Sequence, residues 1–293
     1  MVCLYNRQGA RTIIKPEEES TFPNLTMSEE PVPLPSAPPV SLSPNVVLQP
    51  PLSRRGIGPG VILVLPDHVA LSSGTTKPLD PDPVTKWAEE GFAVVGVTAV
   101  GSISIDQVLQ QGLDALQALD QVDIKDRFAV IGASTIFPTI EYVMFIFPLV
   151  YDAGLIRTVS DAVSKHPRIA AFVGYGSFPA PSCVLPILLH LTANAPRPAH
   201  PPTDITTQHT YDTTSPAFVL PQAAKYDPGS ASLAHSRTLV FLRKHLGGPF
   251  FDLSAIWDEH TYYEFQARSV AQTMGTMVVS SLLSSLWHLI ISF

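Results

Sequence analysis

Charge is scarce in this sequence. Asp, Glu, Lys and Arg make up 15% of the 293 residues, against about 25% in an ordinary globular domain. Positive charge is the scarcer sign: 18 Lys and Arg face 25 Asp and Glu, for a formal net charge of −7. No basic surface is available to neutralise a phosphate backbone, which excludes nucleic acid as a partner. Cysteine is nearly absent. Cys3 and Cys183 are the whole set, one pair at most, so a disulfide framework and a cysteine zinc site are excluded. That scarcity makes a reducing, cytoplasmic compartment the default. The first residues carry Arg7, Arg11 and Lys15 but lack the apolar stretch of about 7–15 residues that a secretory signal needs. No residue pattern calls for a cofactor or a metal ion, and no internal repeat is visible.

Proline is abundant, with 29 residues. Ten of them lie between Pro23 and Pro59, including the run Pro31-Val-Pro-Leu-Pro-Ser-Ala-Pro-Pro39. Proline fixes φ and lacks an N–H, so this run builds neither helix nor ladder. Residues 1–56 are therefore read as a disordered or extended leader, passive rather than a ligand for a proline-binding module. Met27 stands as an alternative start, with residues 1–26 an addition of the gene model. The other end, residues 251–293, is read as a truncated segment with an apolar tail. Ser269–Phe293 carries no charged residue. As a helix, Val278–Phe293 would reach about 24 Å, short of the ~30 Å hydrocarbon core, and no basic residues follow it. The expectation is a buried helix or an artefactual end rather than a membrane anchor.

Between these ends, 45% hydrophobic content is distributed in short runs: Val61–Leu65, Phe92–Val97, Phe128–Ile131, Ile169–Val173 and Ile187–Leu191. Continuous apolar runs of this length suit strands buried on both faces. Helical segments separate them. Pro83–Glu90 precedes Gly91, a suitable residue to end a helix. Ile105–Leu119 carries an apolar stripe of period 3.6. Ser230–Leu246 ends in Lys244 and His245, cations suited to a helix C-terminus. The alternation predicts one α/β domain over residues 57–250, with a doubly wound, mostly parallel sheet.

In such sheets, sites form at the carboxyl ends of the strands. Pro66-Asp67-His68 follows the first run, and its bland reading is a turn Asp beside an exposed His. Gly132-Ala133-Ser134-Thr135-Ile136 follows the third. Strand, Gly-x-Ser, helix is the layout of a nucleophile elbow, with the Thr135 N–H as one oxyanion donor. The second glycine of the motif is replaced by Ile136. No acid follows Leu191, where Asn194 and Ala195 stand, and Asp204 comes ten residues later. His209 is placed at the start of a short strand, the wrong end for a site.

Several stretches resemble the dienelactone hydrolase (carboxymethylenebutenolidase-like) family, and its fungal members more closely. They are Gly60-Val-Ile-Leu-Val-Leu-Pro-Asp67, Trp87-Ala-Glu-Glu-Gly-Phe-Ala-Val-Val95, Ala170-Ala-Phe-Val-Gly-Tyr-Gly176 and Tyr226–Leu246, in the family's order. Phe251–Met277 resembles the opening of a polyketide-cyclase-like second domain that stops almost at once. The resemblance implies an α/β-hydrolase fold and a Cys-His-Asp triad that opens small esters or lactones, with no cofactor and no metal. Carried over, the nucleophile position matches Ser134 and the histidine position matches Pro216. The acid position falls near Asn194 or Ala195, and a further family glutamate matches Asp67. Ser134 and Asp67 are thus the candidate catalytic residues, in a triad with two roles empty. His68 acting as base for Ser134 is a rescue. A small ester or lactone is the implied partner, taken either by a hydrolase or by a non-catalytic binding or scaffolding protein on the same fold.

Overall fold

The computed structural model describes residues 37–66, 80–99, 104–133, 154–176, 183–195 and 205–276. They form one eight-stranded sheet. In chain order the strands are β1 (Val40–Ser43), β2 (Val46–Gln49), β3 (Gly60–Pro66), β4 (Ala93–Ala99), β5 (Phe128–Ala133), β6 (Ile169–Tyr175), β7 (Ile187–Thr192) and β8 (Thr206–Tyr211). Their spatial order is β1-β2-β4-β3-β5-β6-β7-β8. The hairpin partner β2 runs antiparallel to β1 and to β4, and every other pairing is parallel.

All five apolar runs are strands, and alternation explains why each is apolar throughout. Ile62 and Val64 of β3 face one way, with Val95, Val130, Phe172 and Leu189. That face is covered by α2 (Ile105–Ala118), through Leu109, Leu113 and Leu116, and by α3 (Gly154–Val163), through Val159 and Val163. Val61 and Leu63 face the other way, with Val94, Ile131, Val173 and Leu188. There they meet Trp87 of α1 (Pro83–Glu89) and Ala234, Leu242 and Leu246 of α4 (Pro228–Leu246). Phe92, Phe128, Phe172 and Phe218 are fully buried, each contributing about 1.5–3 kcal/mol of transfer free energy.

Helix ends follow local chemistry. Asp82 accepts hydrogen bonds from the N–H groups of Val84 and Thr85 and so caps α1, and Asp227 caps α4 through the Ser230 N–H. Gly91 and Gly247 hold φ of 91° and 76°, where a Cβ is strained.

The domain begins earlier than the proline pattern predicts. Residues 40–49, expected within the leader, are β1 and β2, because Val46, Val47 and Leu48 supply a strand between proline-rich stretches. Pro44 sits in the hairpin turn, where its missing N–H costs no ladder bond. His209 is likewise not at a strand start; it is the fourth residue of β8.

After α4 the chain continues as α5 (Leu253–Thr261), a π-helical turn Tyr262–Ala267 and α6 (Val270–Thr276). Arg54 grips Glu259 with two hydrogen bonds of 2.9 and 3.0 Å. Phe250, Leu253, Trp257, Phe265 and Val270 remain exposed. Among the described residues, no helix is long and apolar enough to cross a membrane.

Candidate functional site

The parallel strands β3, β5, β6, β7 and β8 end at one rim of the sheet. Asp67 follows the last residue of β3 and Ser134 the last residue of β5, and these two strands are neighbours. Both residues, with His68 and Thr135, lie outside the described residues.

The residues that the resemblance matches to the family's acid and histidine are described. Thr192 ends β7, and its hydroxyl donates to Asn194 Oδ1 at 2.7 Å. Asn194 Nδ2 in turn donates to the Thr214 carbonyl at 3.4 Å. Asn194, one of the two residues near which the resemblance sets the acid, is thus an amide held in a turn between the ends of β7 and β8. Beyond β8, Pro216 opens a 3-10 turn, Pro216–Val219, capped by Ser215, whose Oγ accepts from the Ala217 N–H at 3.2 Å. Pro216, Ala217 and Phe218 are buried. Phe218 packs its ring against Tyr175 and Tyr211, with centroids at 6.4 and 5.0 Å. Pro216, which the resemblance matches to the histidine, thus belongs to an apolar plug.

A polar cluster that the sequence reading missed lies just inside this rim, on the α4 face. Tyr175, His190 and His209 sit side by side on β6, β7 and β8. His190 is fully buried and stacks on Tyr175 at 4.6 Å. Its Nδ1 lies 2.8 Å from the Tyr211 hydroxyl and its Nε2 lies 2.9 Å from Thr238 Oγ1 on α4. Arg237 Nη1 donates to the Tyr211 oxygen at 3.1 Å, and its guanidinium also stands over that ring. Thr238 donates to the Ala234 carbonyl at 2.9 Å, and the Tyr175 hydroxyl lies 3.2 Å from the same Thr238 oxygen.

One proton arrangement satisfies every group. Tyr211 donates to His190 Nδ1, His190 Nε2–H donates to Thr238, Tyr175 donates to Thr238, and Thr238 donates to Ala234. His190 is then neutral. Burial, with His209 and Arg237 nearby, pushes its pKa down to about 3. Burial also raises the Tyr175 hydroxyl well above its ordinary range. A histidine so held accepts no proton near neutral pH, so it does not suit general-base work. The only sequence trace of it is a polar residue inside Ile187-Leu-Leu-His-Leu191; its partners come from 21 and 48 residues away.

Beside this cluster, toward β3, a cavity of about 50 Å³ is bounded by Leu63, Leu65, Trp87, Ile131, Tyr175 and His235. Its polar groups are already engaged. His235 Nε2 meets Glu90 Oε1 at 2.9 Å and its ring lies 4.5 Å from Trp87. Lys86 Nζ donates to Asp80 at 2.8 Å, and the Tyr226 hydroxyl donates to the same carboxylate oxygen. Burial raises the Asp80 carboxyl, but the bonds from Lys86 and Tyr226 outweigh it and the net shift is downward. A wider hollow of about 390 Å³ lies beyond, between the β1–β2 hairpin, the end of β3 and the start of α1. Asn45, Gln49, Thr98, Asp82, Thr85 and Gln222 give it a polar border. Among the described residues, no group of three His, Cys, Asp or Glu side chains can hold a metal ion.

Strand order, the antiparallel β2 and helices on both faces make this an α/β-hydrolase-fold protein. No protein-family model matches the chain, and no curated protein matches it. Solved structures do. A Klebsiella pneumoniae protein assigned as a dienelactone hydrolase matches at 15% identity and a TM-score of 0.41, over 68% of this chain and 92% of that one. The dienelactone hydrolase of Anabaena variabilis matches at 12% identity and 0.40, over 72% and 97%. The acylaminoacyl peptidase of Pyrococcus horikoshii matches at 11% and 0.42, over 72% of this chain and 42% of that one.

Proposed function

We propose that the protein binds a small ester or lactone on an α/β-hydrolase fold without turning it over efficiently. The observation that supports this reading is the local structure of the residues that the resemblance matches to, or near, the histidine and the acid: Pro216 is buried in a capped 3-10 turn, and Asn194 is held by Thr192 and Thr214. A serine hydroxyl needs a base to take its proton, and the loss of triad members leaves only residual rates. Of the two hollows, about 50 Å³ holds only a few waters, whereas about 390 Å³ falls in the range that takes a small ligand.

The test is turnover of p-nitrophenyl acetate and of a small lactone by the full chain and by Ser134→Ala. The expected result is equal, near-background rates, with the lactone raising the melting temperature of both proteins. A clear fall in rate on Ser134→Ala sinks the binding reading. It would install the second one, a hydrolase with Ser134 as nucleophile, Asp67 beside it and His68 as base. That alternative is favoured by one feature: Gly132 and Ala133 end the central strand β5, and Ser134 is the next residue in the sequence.

A further inference from the structure

We propose that the hollow of about 390 Å³ beside the β1–β2 hairpin selects for uncharged ligands: it holds an intact ester or lactone and rejects the carboxylate left by its hydrolysis. This rests on the binding function proposed for the chain and names the form of ligand that the site takes.

The hollow exists because the sheet loses its cover there. Val47 of β2 pairs with Gly96 of β4, and Thr98 pairs with Leu65 of β3 two residues nearer the rim. At Gly96 the roof is close: a Cβ there would lie 2.6 Å from Val84 Cγ2 of α1. But α1 starts at Pro83, only one residue before Val84. Beyond Gly96 the helix gives out, and Thr98 and Leu65 are left half-buried. Pro44 and Asn45 at the hairpin end, with Leu220 and Gln222 after the 3-10 turn, wall the space.

Part of the polar border is already committed. Gln49 Nε2 donates to the Ala37 and Pro50 carbonyls at 2.8 and 3.1 Å. Asp82 Oδ1 accepts from the Val84 and Thr85 N–H groups, and its Oδ2 accepts from the Thr85 hydroxyl at 2.6 Å. Asn45, Thr98 and Gln222 are not committed. Their side chains make no hydrogen bond among the described residues. Each offers a donor, and none carries a charge.

Charge decides what they hold. Among the described residues that line the hollow there is no Lys, Arg or His, and the one ionisable side chain is the acid Asp82. A neutral ester oxygen accepts from a hydroxyl or an amide N–H at small desolvation cost. Opening the ester with water leaves an acid that is ionised at neutral pH. That anion would exchange water for neutral donors only, beside the like charge of Asp82. Val47, Leu65, Pro66, Pro83 and Leu220 supply apolar walls for the ligand's hydrocarbon.

Isothermal titration of the full chain with three probes tests this: dihydrocoumarin, the hydroxy acid that its ring opening gives, and the methyl ester of that acid. The lactone and the methyl ester should bind, and the acid should bind at least about tenfold more weakly at pH 7. Acid against methyl ester isolates the charge, since both are ring-opened. Thr98→Val and Gln222→Leu each remove an uncommitted polar group. Each should weaken both neutral probes by about 3- to 10-fold, with the melting temperature of the unliganded protein close to that of the parent. Gln222→Lys sets a cation in the wall and should reverse the preference, so that the acid binds more tightly than its methyl ester. An acid that binds the parent as tightly as its methyl ester, or more tightly, overturns the proposal. So do neutral probes whose affinity ignores all three substitutions, a result that leaves the chain a lactone binder with its site elsewhere. A parent that binds none of the probes overturns the binding function itself, and this selectivity with it.

Discussion

His190 shows how much one buried side chain can commit. Its two nitrogens are both used, by Tyr211 and by Thr238, in an arrangement that is complete only when the ring is neutral. Thr238→Val keeps the shape but removes the acceptor for His190 Nε2–H and Tyr175. The expected cost is about 1–3 kcal/mol, the penalty for orphaned buried donors, read by urea unfolding. A pH dependence follows from the same site. An unfolded histidine takes its proton near pH 6.5, whereas folded His190 does so only at about 3. Between those values the unfolded state holds the extra proton, so stability falls as pH falls, by about 1.4 kcal/mol per pH unit for this one group. The lowered Asp80 carboxyl adds its loss only at more acidic pH, below its unfolded value near 3.9. His209 and His245 shift in the same direction as His190. Comparing the parent with His190→Leu at pH 7 and pH 5 isolates the buried ring: the variant should be less stable at pH 7 and lose less on acidification.

At the scale of elements, the joints between helix and strand carry the constraints. Gly58 is where the approach to β3 passes the end of α1. Its N–H donates to the Gln121 carbonyl, its own carbonyl accepts from Asp123, and a Cβ placed there would meet the Gly91 carbonyl oxygen at 1.8 Å. No rotamer relieves a clash with backbone. Gly58→Ala should therefore cost at least ~2 kcal/mol, seen as a lower midpoint in chemical denaturation. The α4 cap offers a milder test. Asp227 accepts from the Ser230 N–H at 2.7 Å, and Asp227→Ala should lose about 1 kcal/mol while leaving the far-UV spectrum of the folded protein unchanged. By contrast, the Arg54–Glu259 pair is exposed. Breaking it with Arg54→Ala should fall within the small range of surface ion pairs, below about 1 kcal/mol.

For the whole molecule, the decisive prediction concerns where the domain begins. β2 covers the flank of β4 through four paired residues, and Val46 and Leu48 are buried in the core. A chain shortened to begin at Ile57 strips that flank and should fail to fold or aggregate, whereas one beginning at Ala37 should unfold cooperatively. Thermal unfolding with light scattering separates the two. The sequence by itself determined the layered architecture. Uninterrupted apolar runs at β3 to β7 can be satisfied only by a sheet covered on both faces, and the 3.6-residue stripe of Ile105–Leu119 fixes α2 against it. It also showed that Pro216 and Asn194 bring neither an imidazole nor a carboxylate to the positions that the family resemblance matches to, or near, the base and the acid, because a missing functional group is legible from identity alone. The β1–β2 hairpin was hidden because proline content marked residues 1–56 as one stretch, and short strands between prolines carry too little periodicity to stand out. Only the tertiary structure decided what surrounds the site. Tyr175, His190, Tyr211 and Thr238 come from three strands and a helix, so no local spacing joins them. The protonation state of His190 is a property of their meeting, since burial and fixed hydrogen-bond direction exist only once the chain has folded.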